Sequence, residues 1–260
     1  MPHFDAVTLM NIRIAADIIR DSHNTVILTG AGLSTPSGIP DFRSPQSGLW
    51  EKSDPTEVAS LTSFRYHPEK FYHWMRPLAQ IMVQAQPNQA HLSIAQMETA
   101  GFVKTVITQN IDGLHQRAGS CNVLEVHGTI DFMTCVRCYQ KYNAQSHLET
   151  YLNSGSIPRC TICNGILKPD IVLFGEQMPA RVWLKAMEAC KTCDVMLVAG
   201  SSLEVLPVAG LPMRALENGA HLILVNRART YMDVRADVVL NEDVIGILPN
   251  IVQEVLGNGA

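Results

Sequence analysis

Two Cys-x-x-Cys pairs, Cys135-Val-Arg-Cys138 and Cys160-Thr-Ile-Cys163, carry the clearest chemistry in the chain. The 21 residues between them slightly exceed the usual zinc-ribbon gap of roughly 15–20. Each pair can place two thiolates on one tetrahedral ion, and Asn164 and Gly165 beside the second pair suit a tight knuckle. Four thiolates leave no position for water, so a zinc ion held by Cys135, Cys138, Cys160 and Cys163 would be structural rather than catalytic. Cys190-Lys-Thr-Cys193 is a third such pair without a fourth to complete a second site. It reads as two ordinary thiols at a helix end, with a redox motif as the alternative. Cys121 has no partner in sequence.

A second candidate lies near the start. The apolar run 26–29 meets Gly30-Ala31-Gly32-Leu33-Ser34, a strand followed by G-x-G that would let backbone approach a pyrophosphate. By itself this is also what an unliganded tight turn looks like. The continuation departs from a dehydrogenase: Thr35 stands at the third glycine position, Pro36 follows, and prolines punctuate the stretch to Pro45. No second strand ends in an acidic residue at the spacing a Rossmann ribose contact needs. A nucleotide here would be held by a turn and a long polar loop.

These groups need a scaffold. Apolar runs at 26–29, 103–108, 123–126, 171–174, 195–199, 221–225 and, more weakly, 238–240 read as buried strands. Val7, Ile14, Ala15, Ile18 and Ile19 suggest an amphipathic first helix. Helical patterns follow at 68–85 (with Pro77 as a kink or break), 88–100, 179–190, 207–218 and 242–256. This alternation predicts a Rossmann-like α/β fold with a mostly parallel sheet and helices on both faces. Ligands in such sheets bind beyond the carboxyl ends of the strands. The expected division is a Rossmann-like domain of residues 1–130 and 165–260, with 44–86 as a loop or helical cover, and an inserted zinc module at 131–164.

The 260 residues carry 20 Lys plus Arg against 24 Asp plus Glu, a formal charge of −4, with no basic run of the kind a nucleic-acid binder shows. No apolar stretch approaches a membrane span and no secretory h-region is present, so a cytoplasmic location is expected.

The segment Gly30-Ala-Gly-Leu-Ser-Thr-Pro-Ser-Gly-Ile-Pro-Asp-Phe-Arg43 resembles the cofactor loop of the sirtuins, the NAD-dependent protein deacylases. Gln109-Asn110-Ile111-Asp112-Gly113-Leu114-His115, His127-Gly128, the four cysteines, Lys168-Pro-Asp-Ile-Val-Leu-Phe-Gly-Glu176, Gly200-Ser201-Ser202 and Asn226 follow in that family's order. The resemblance runs from about residue 26 to 244, nearly the whole chain.

It implies specific roles. Gly30, Ala31, Gly32 and Ser34 belong to the loop that approaches the phosphates, with Asp41, Phe42 and Arg43 at its far end. Arg43 would supply charge near the phosphates or the distal ribose, and Phe42 would sit near the nicotinamide ribose. Gln109 would contact the ribose, Asn110 would orient the ribose or a reactive water, and Asp112 would hold the nicotinamide amide, with Ile111 among them. His127, whose residue type alone would equally suit a satisfied core histidine, would be the general base: it would deprotonate a ribose hydroxyl after the acyl oxygen displaces nicotinamide, as its ordinary pKa near working pH allows. Gly200, Ser201, Ser202, Asn226, Arg227, Asp243 and Val244 would surround the adenosine half. Val172, Phe174 and Val205 would line an acyl-lysine tunnel, and backbone around Gly175-Glu176 and Glu204–Leu206 would pair with an extended peptide.

The expected partners are therefore acyl-lysine proteins or peptides, the co-substrate is NAD, and one zinc ion is structural. Asp41 departs from the branch of the family that favours acidic acyl groups, and no Tyr-x-x-Arg pair follows Trp50, so acetyl or another uncharged acyl group is favoured over succinyl. Lys168 replaces a common arginine. The rivals are an ADP-ribosyltransferase or NAD glycohydrolase using the same pocket, then a non-catalytic NAD-sensing zinc protein, with a dehydrogenase more distant.

Overall fold

In the structure, a computed structural model that describes residues 4–41, 48–49 and 53–257, the apolar runs assemble into a six-stranded parallel sheet. Its strands are β1 (Thr25–Thr29), β2 (Val103–Thr108), β3 (Val123–Glu125), β7 (Val195–Ala199), β8 (His221–Val225) and β9 (Val238–Leu240), in the order β3-β2-β1-β7-β8-β9. The order reverses between β1 and β7, and at that switch point loops leave in opposite directions and open a crevice. β1, β7 and most of β8 are buried along their length, which is why they read as unbroken apolar runs.

Successive residues of β1 serve opposite faces. Ile27 packs with helices α1 (Ala6–Asp21), α5 (Gln89–Thr99) and α10 (Val244–Leu256). Val26 and Leu28 pack with α8 (Ala180–Thr192) and α9 (Leu211–Glu217). The expected sheet with helices on both faces is what forms.

The chain leaves this sandwich twice. The first excursion carries α2 (Pro55–Val58), α3 (Leu61–Tyr66) and α4 (Pro68–Gln84). The second carries a three-stranded antiparallel sheet of β4 (Gly128–Cys135), β5 (Lys141–Asn143) and β6 (Leu167–Ile171), ordered β5-β4-β6, with helix α7 (Gln145–Ser154). The two excursions share one core, in which Phe71, Tyr72, Met75 and Leu78 of α4 meet Met133, Tyr151 and Leu167. Phe64, Phe71 and Tyr72 form edge-on and tilted ring contacts there, and Tyr72 stacks edge-on against Tyr151 at 5.3 Å.

Two local expectations differ from the structure. The run 171–174 is not a strand of the main sheet. The strand is β6, an edge strand whose residues alternate between buried and half-buried, and Pro169 is tolerated because an edge needs no ladder donor on its outer side. Beyond it, Val172 N–H donates to the His127 carbonyl and Phe174 pairs with Ser60. Helix α4 also continues through Pro77, whose outward position, four residues beyond the exposed His73, leaves the unpaired carbonyl beside water.

Beneath the open ends of β1 and β2 lies a buried polar knot. Thr29 Oγ1 donates to Thr108 Oγ1 at 2.8 Å and accepts from His115 Nε2 at 2.9 Å. His115 sits on the short helix α6 (Leu114–Arg117), its ring 5.1 Å edge-on from that of His91 in α5. Burial holds both imidazoles far below their ordinary value of 6.5, His91 at about 4 and His115 at about 3. The unfolded chain therefore binds more protons below pH 6.5, and stability present above that pH is lost as pH falls toward 4. Each proton taken up on unfolding steepens the dependence by about 1.4 kcal/mol per pH unit. Asp112 and Glu125, raised by burial, act with the opposite sign, so a comparison isolates the histidines. His91→Gln keeps a residue suited to the capping position at the start of α5 and removes one titrating ring. Urea unfolding between pH 4.5 and 6.5 should show the variant's slope of stability against pH lowered by up to about 1.4 kcal/mol per pH unit; an unchanged slope would contradict the buried neutral pair.

Candidate active site and its supports

Among the described residues, Gly30–Ser34, Gln109–Asp112, His127, Gly200–Ser202 and Asn226 each sit just beyond a strand's carboxyl end. Gly30 follows β1 and Gly200 follows β7, and the two turns touch. Gly30 N–H donates to the Ala199 carbonyl and Gly32 N–H to the Gly200 carbonyl, at 3.3 and 2.8 Å. At Gly200, where φ is +63°, a Cβ would lie 2.3 Å from the Leu33 nitrogen, so only glycine fits. The donors of Gly30 and Gly32 are thus turned into the protein, and what these glycines supply to a ligand is closeness of backbone.

The polar strand end after β2 is anchored to that turn. Asn110 Nδ2 donates to the Gly30 carbonyl (3.1 Å) and to Ser34 Oγ (3.0 Å). Ser34 Oγ donates to Asp112 Oδ2 at 2.7 Å, and Leu114 N–H caps Asp112 Oδ1 at 2.9 Å. Burial pushes the Asp112 carboxyl above the ordinary range, opposed by these hydrogen bonds and by the charge of Arg117. Gln109 Nε2 donates to Ser201 Oγ (2.8 Å), and Ser201 N–H donates to Asn226 Oδ1 (2.8 Å), which ties β2, β7 and β8 together across the crevice.

His127 follows β3. Its Nδ1 is 3.1 Å from the Gln109 carbonyl oxygen. A carbonyl can only accept, so Nδ1 carries the proton and Nε2 is the basic nitrogen. The next residue must be glycine: Gly128 has φ +79°, and a Cβ there would fall 2.0 Å from the Asp170 carbonyl oxygen. His127 is therefore clamped between a sheet strand and β6.

Two cavities of about 300 Å³ each meet at this histidine. The polar one is lined by Gly30, Ala31 and Gly32, by Asp41, by Gly200, Ser201 and Ser202, and by Asn226, Arg227, Asp243 and Val244. Arg227 and Asp243 form an ion pair at its rim, and Asp243 also caps α10. Asn226 Nδ2 is buried with no hydrogen-bond partner among the described residues. A buried donor facing a polar cavity beside a glycine turn fits the ribose-and-phosphate half of a dinucleotide.

The apolar cavity is lined by Ser34, Ile111 and Asp112 on one side and by Val172, Phe174, Gly175, Glu176 and Val205 on another. Ala31, Gln109, Asn110, His127 and Val205 belong to both cavities. Glu176 folds back on itself, its carboxylate accepting from Leu173 N–H and pairing with Lys168 at 3.0 Å. Sequence reasoning missed the side of this cavity built from the cover: Ile39, Trp74, Met75, Leu78 and Met82. At helical spacing those α4 residues read as ordinary core, and nothing in the sequence marks them otherwise. Phe42 and Arg43 lie outside the described residues.

The four cysteines converge. Their sulfurs all lie within 4.8 Å of one another, with Cys135–Cys163 and Cys138–Cys160 at 3.5 Å. Those two separations are far too long for a disulfide and close to the ~3.8 Å edge of a tetrahedron with Zn–S of about 2.3 Å. The two knuckles repeat each other: Tyr139 and Asn164, each just after a pair, have φ of 60° and 56°, and Cys135 and Cys160 donate to the carbonyls of Gln140 and Gly165. The four thiolates could hold one zinc ion in a closed shell. Cys190 and Cys193 by contrast are buried at the end of α8, where burial pushes their thiols up to about 12 and about 11 and so disfavours the thiolate that a redox pair uses. Cys121 is exposed.

Fold and site together define a Rossmann-type dinucleotide-binding protein whose polar cleft adjoins an apolar cavity. The description "Sir2 family" matches residues 30–207, and the chain belongs to that family. It is 46% identical over 245 residues to NAD-dependent protein deacylase 2 of Archaeoglobus fulgidus, covering 94% of this chain and 96% of that one. It is 41% identical to the NAD-dependent protein deacetylase of Thermotoga maritima, over 94% and 98% of the two chains. Among solved structures, one described under the mechanism and regulation of Sir2 enzymes superposes with a TM-score of 0.89 at 46% identity, covering 95% of this chain and 98% of that one. A Sir2 complex with a p53 peptide and NAD+ superposes at 0.84 with 40% identity, covering 92% and 95%. No helix among the described residues is long and apolar enough to cross a membrane.

Closed thiolate coordination implies that metal and local fold are linked. Elemental analysis should find about one zinc per chain, and Cys138→Ser should lose the ion together with hydrogen-exchange protection in β4–β6 and α7. Full protection in a metal-free variant would show the four thiolates to be unneeded as a support.

Proposed function

We propose that this protein is an NAD-dependent protein lysine deacylase that removes acetyl or other uncharged acyl groups, releasing nicotinamide and O-acyl-ADP-ribose. The observation that carries the reading is the position of His127, in the wall common to a polar cavity fitted to a dinucleotide and an apolar cavity fitted to an acyl-lysine chain. A dehydrogenase would be expected to carry a third glycine where Thr35 stands in the loop after β1. A sensor of NAD would not need the second cavity.

Bound NAD would supply a ribose carbon activated by a cationic leaving group. The chain's own residues do the rest. Val172, Phe174 and Val205 enclose the lysine stem, and backbone at Gly175 and at 204–206 offers an edge to an extended peptide. Asn110, held by Gly30 and Ser34, fixes a polar group at the junction, and Gln109 and Ser201 fix the ribose side. Asp112 accepts from Ser34 and from Leu114 and presents a carboxyl to the carboxamide end of the cofactor. His127, its tautomer set by the Gln109 carbonyl, accepts a ribose hydroxyl proton at Nε2, so that the hydroxyl oxygen can attack the acyl carbon. The acyl group moves from the lysine nitrogen to the sugar oxygen, water supplies the missing oxygen and protons, and lysine leaves as the free amine. A zinc ion held by Cys135, Cys138, Cys160 and Cys163 would have a full coordination shell and would only support β4 and β6.

Lys168 and Glu176 pair with each other, and Arg76, next to Met75, donates to the Leu152 and Asn153 carbonyls. Neither arrangement offers a cation to an acyl carboxylate, in keeping with an uncharged acyl group.

Incubation with NAD and an acetyl-lysine peptide, followed by mass analysis of all products, is expected to give deacetylated peptide, nicotinamide and O-acetyl-ADP-ribose in equal amounts. His127→Ala should lower kcat/KM by about 10²–10⁴-fold. ADP-ribose attached to protein, with the acetyl group retained, would favour the transferase instead, and undiminished turnover by His127→Ala would remove the histidine from its role.

A further inference from the structure

The polar cavity runs outward from His127 in the order of the sheet. Gln109, Asn110 and His127 follow β2 and β3, the glycine turns at Gly30 and Gly200 follow the central strands, and Asn226, Arg227 and Asp243 follow β8 and β9. A dinucleotide with its reactive ribose at His127 and its pyrophosphate at the glycine turns therefore carries its adenosine ribose to the β8–β9 side. There Asn226 presents its buried Nδ2 donor, which has no partner among the described residues. Beside it stands the Arg227–Asp243 ion pair, with the arginine side chain 72% exposed and the aspartate 30%. Asp243 is fixed from both sides: Oδ2 accepts from Arg227, and Oδ1 accepts from Ile245 N–H at the start of α10. Arg227 is the only Lys or Arg among the described residues that lines this cavity, whereas Asp41, Glu204 and Asp243 bring three carboxylates to it.

We propose that the Arg227–Asp243 pair selects a dinucleotide whose adenosine 2′-hydroxyl is free and rejects its 2′-phosphorylated counterpart. This rests on the dinucleotide half of the deacylase reading and deepens it. In open α/β sheets that choice falls at this ribose, where an acidic side chain accepts from the 2′-hydroxyl or an arginine accommodates a 2′-phosphate. Here both residue types are present, and each occupies the other. The Asp243 carboxylate repels a phosphate, and it also holds the one cation that would neutralise it. A hydroxyl needs only an acceptor and finds one. The acidic ribose contact missing from the strand ends in the sequence is thus supplied by the cap of α10. At so exposed a rim the pair adds little to stability, so its loss should change recognition and leave the fold intact.

The test measures binding without peptide, so it does not depend on turnover. The probes are ADP-ribose and ADP-ribose 2′-phosphate, which carry both riboses and the pyrophosphate and have no nicotinamide to lose. Their dissociation constants are measured by calorimetry on the full chain, on Asp243→Asn, and on Asp243→Asn combined with Arg227→Gln. Asparagine caps a helix as well as aspartate does, so Asp243→Asn keeps the start of α10. The unaltered chain should bind the 2′-phosphate at least about tenfold more weakly, because like charges brought together disfavour the wrong partner. Asp243→Asn should lower the ratio of the two constants by about tenfold, as a carboxylate goes and the guanidinium is released to the phosphate. Adding Arg227→Gln should reverse that gain. Equal binding of the two probes by the unaltered chain, or a ratio that Asp243→Asn leaves unchanged, overturns the proposal and leaves the deacylase reading standing. A gain that survives Arg227→Gln takes the arginine out of the selection and overturns the paired device. Binding of neither probe overturns the dinucleotide reading and the selection with it.

Discussion

The contact between two glycine turns at the switch point governs where everything else in this site can be. Gly30 and Gly32 at the end of β1 lie against Gly200 at the end of β7 closely enough that a single added Cβ would enter the opposing backbone. The contact pulls the two central strand ends together and holds Ser34 where it can reach Asp112, and Asn110 where it can reach Gly30. From there the constraint passes outward through Gln109 to Ser201 and through Ser201 to Asn226. A chain of short hydrogen bonds, each with a buried partner, turns four loop segments into one rigid rim. Rigidity matters because donors that are already oriented lose little on binding, whereas mobile ones must be ordered by the ligand.

The supports on the far side follow a different logic. The second sheet has too little apolar surface of its own, and it completes its core by sharing Met133, Tyr151 and Leu167 with the cover helix α4. The four-cysteine cluster ties the outer end of β4 to the turn preceding β6, and β6 continues directly into the segment whose Val172 donates to the His127 carbonyl. An ion held by the four cysteines would therefore support His127 through one strand, at a distance from the proposed chemistry. Such second-layer ordering is what keeps a base within reach of its proton.

Much of this was legible in the sequence, for identifiable reasons. Strands buried on both faces write themselves as apolar runs, so β1, β7 and β8 stood out, and the polar residues just after them followed from the rule for parallel sheets. The cysteine pairs were readable because metal geometry restricts spacing. The segment 171–174 was misplaced because a short apolar run does not say which sheet it joins, and the alternation of β6 begins before it, at Leu167. Pro77 was read as a kink or a break because sequence does not reveal that its turn of helix faces water. The apolar wall of the tunnel was hidden for a plainer reason. Met75, Leu78 and Met82 form a helical stripe, and a stripe facing a cavity has the same periodicity as one facing core.

That last ambiguity has a physical side. A helix that lines a ligand space must be stable when the space is empty, and α4 achieves this by packing Phe71 and Tyr72 into a shared core beside the cavity. Met75, Leu78 and Met82 belong to that core and line the space as well, and two of the three are unbranched methionines. Branched side chains there would pack more specifically but would fix the cavity to one shape. The site thus combines two opposite requirements: at its polar end the groups are locked by hydrogen bonds, because the reacting atoms must be placed closely, and at its apolar end the wall can yield, because methylene groups are recognised by exclusion of water alone and carry no orientation to be matched.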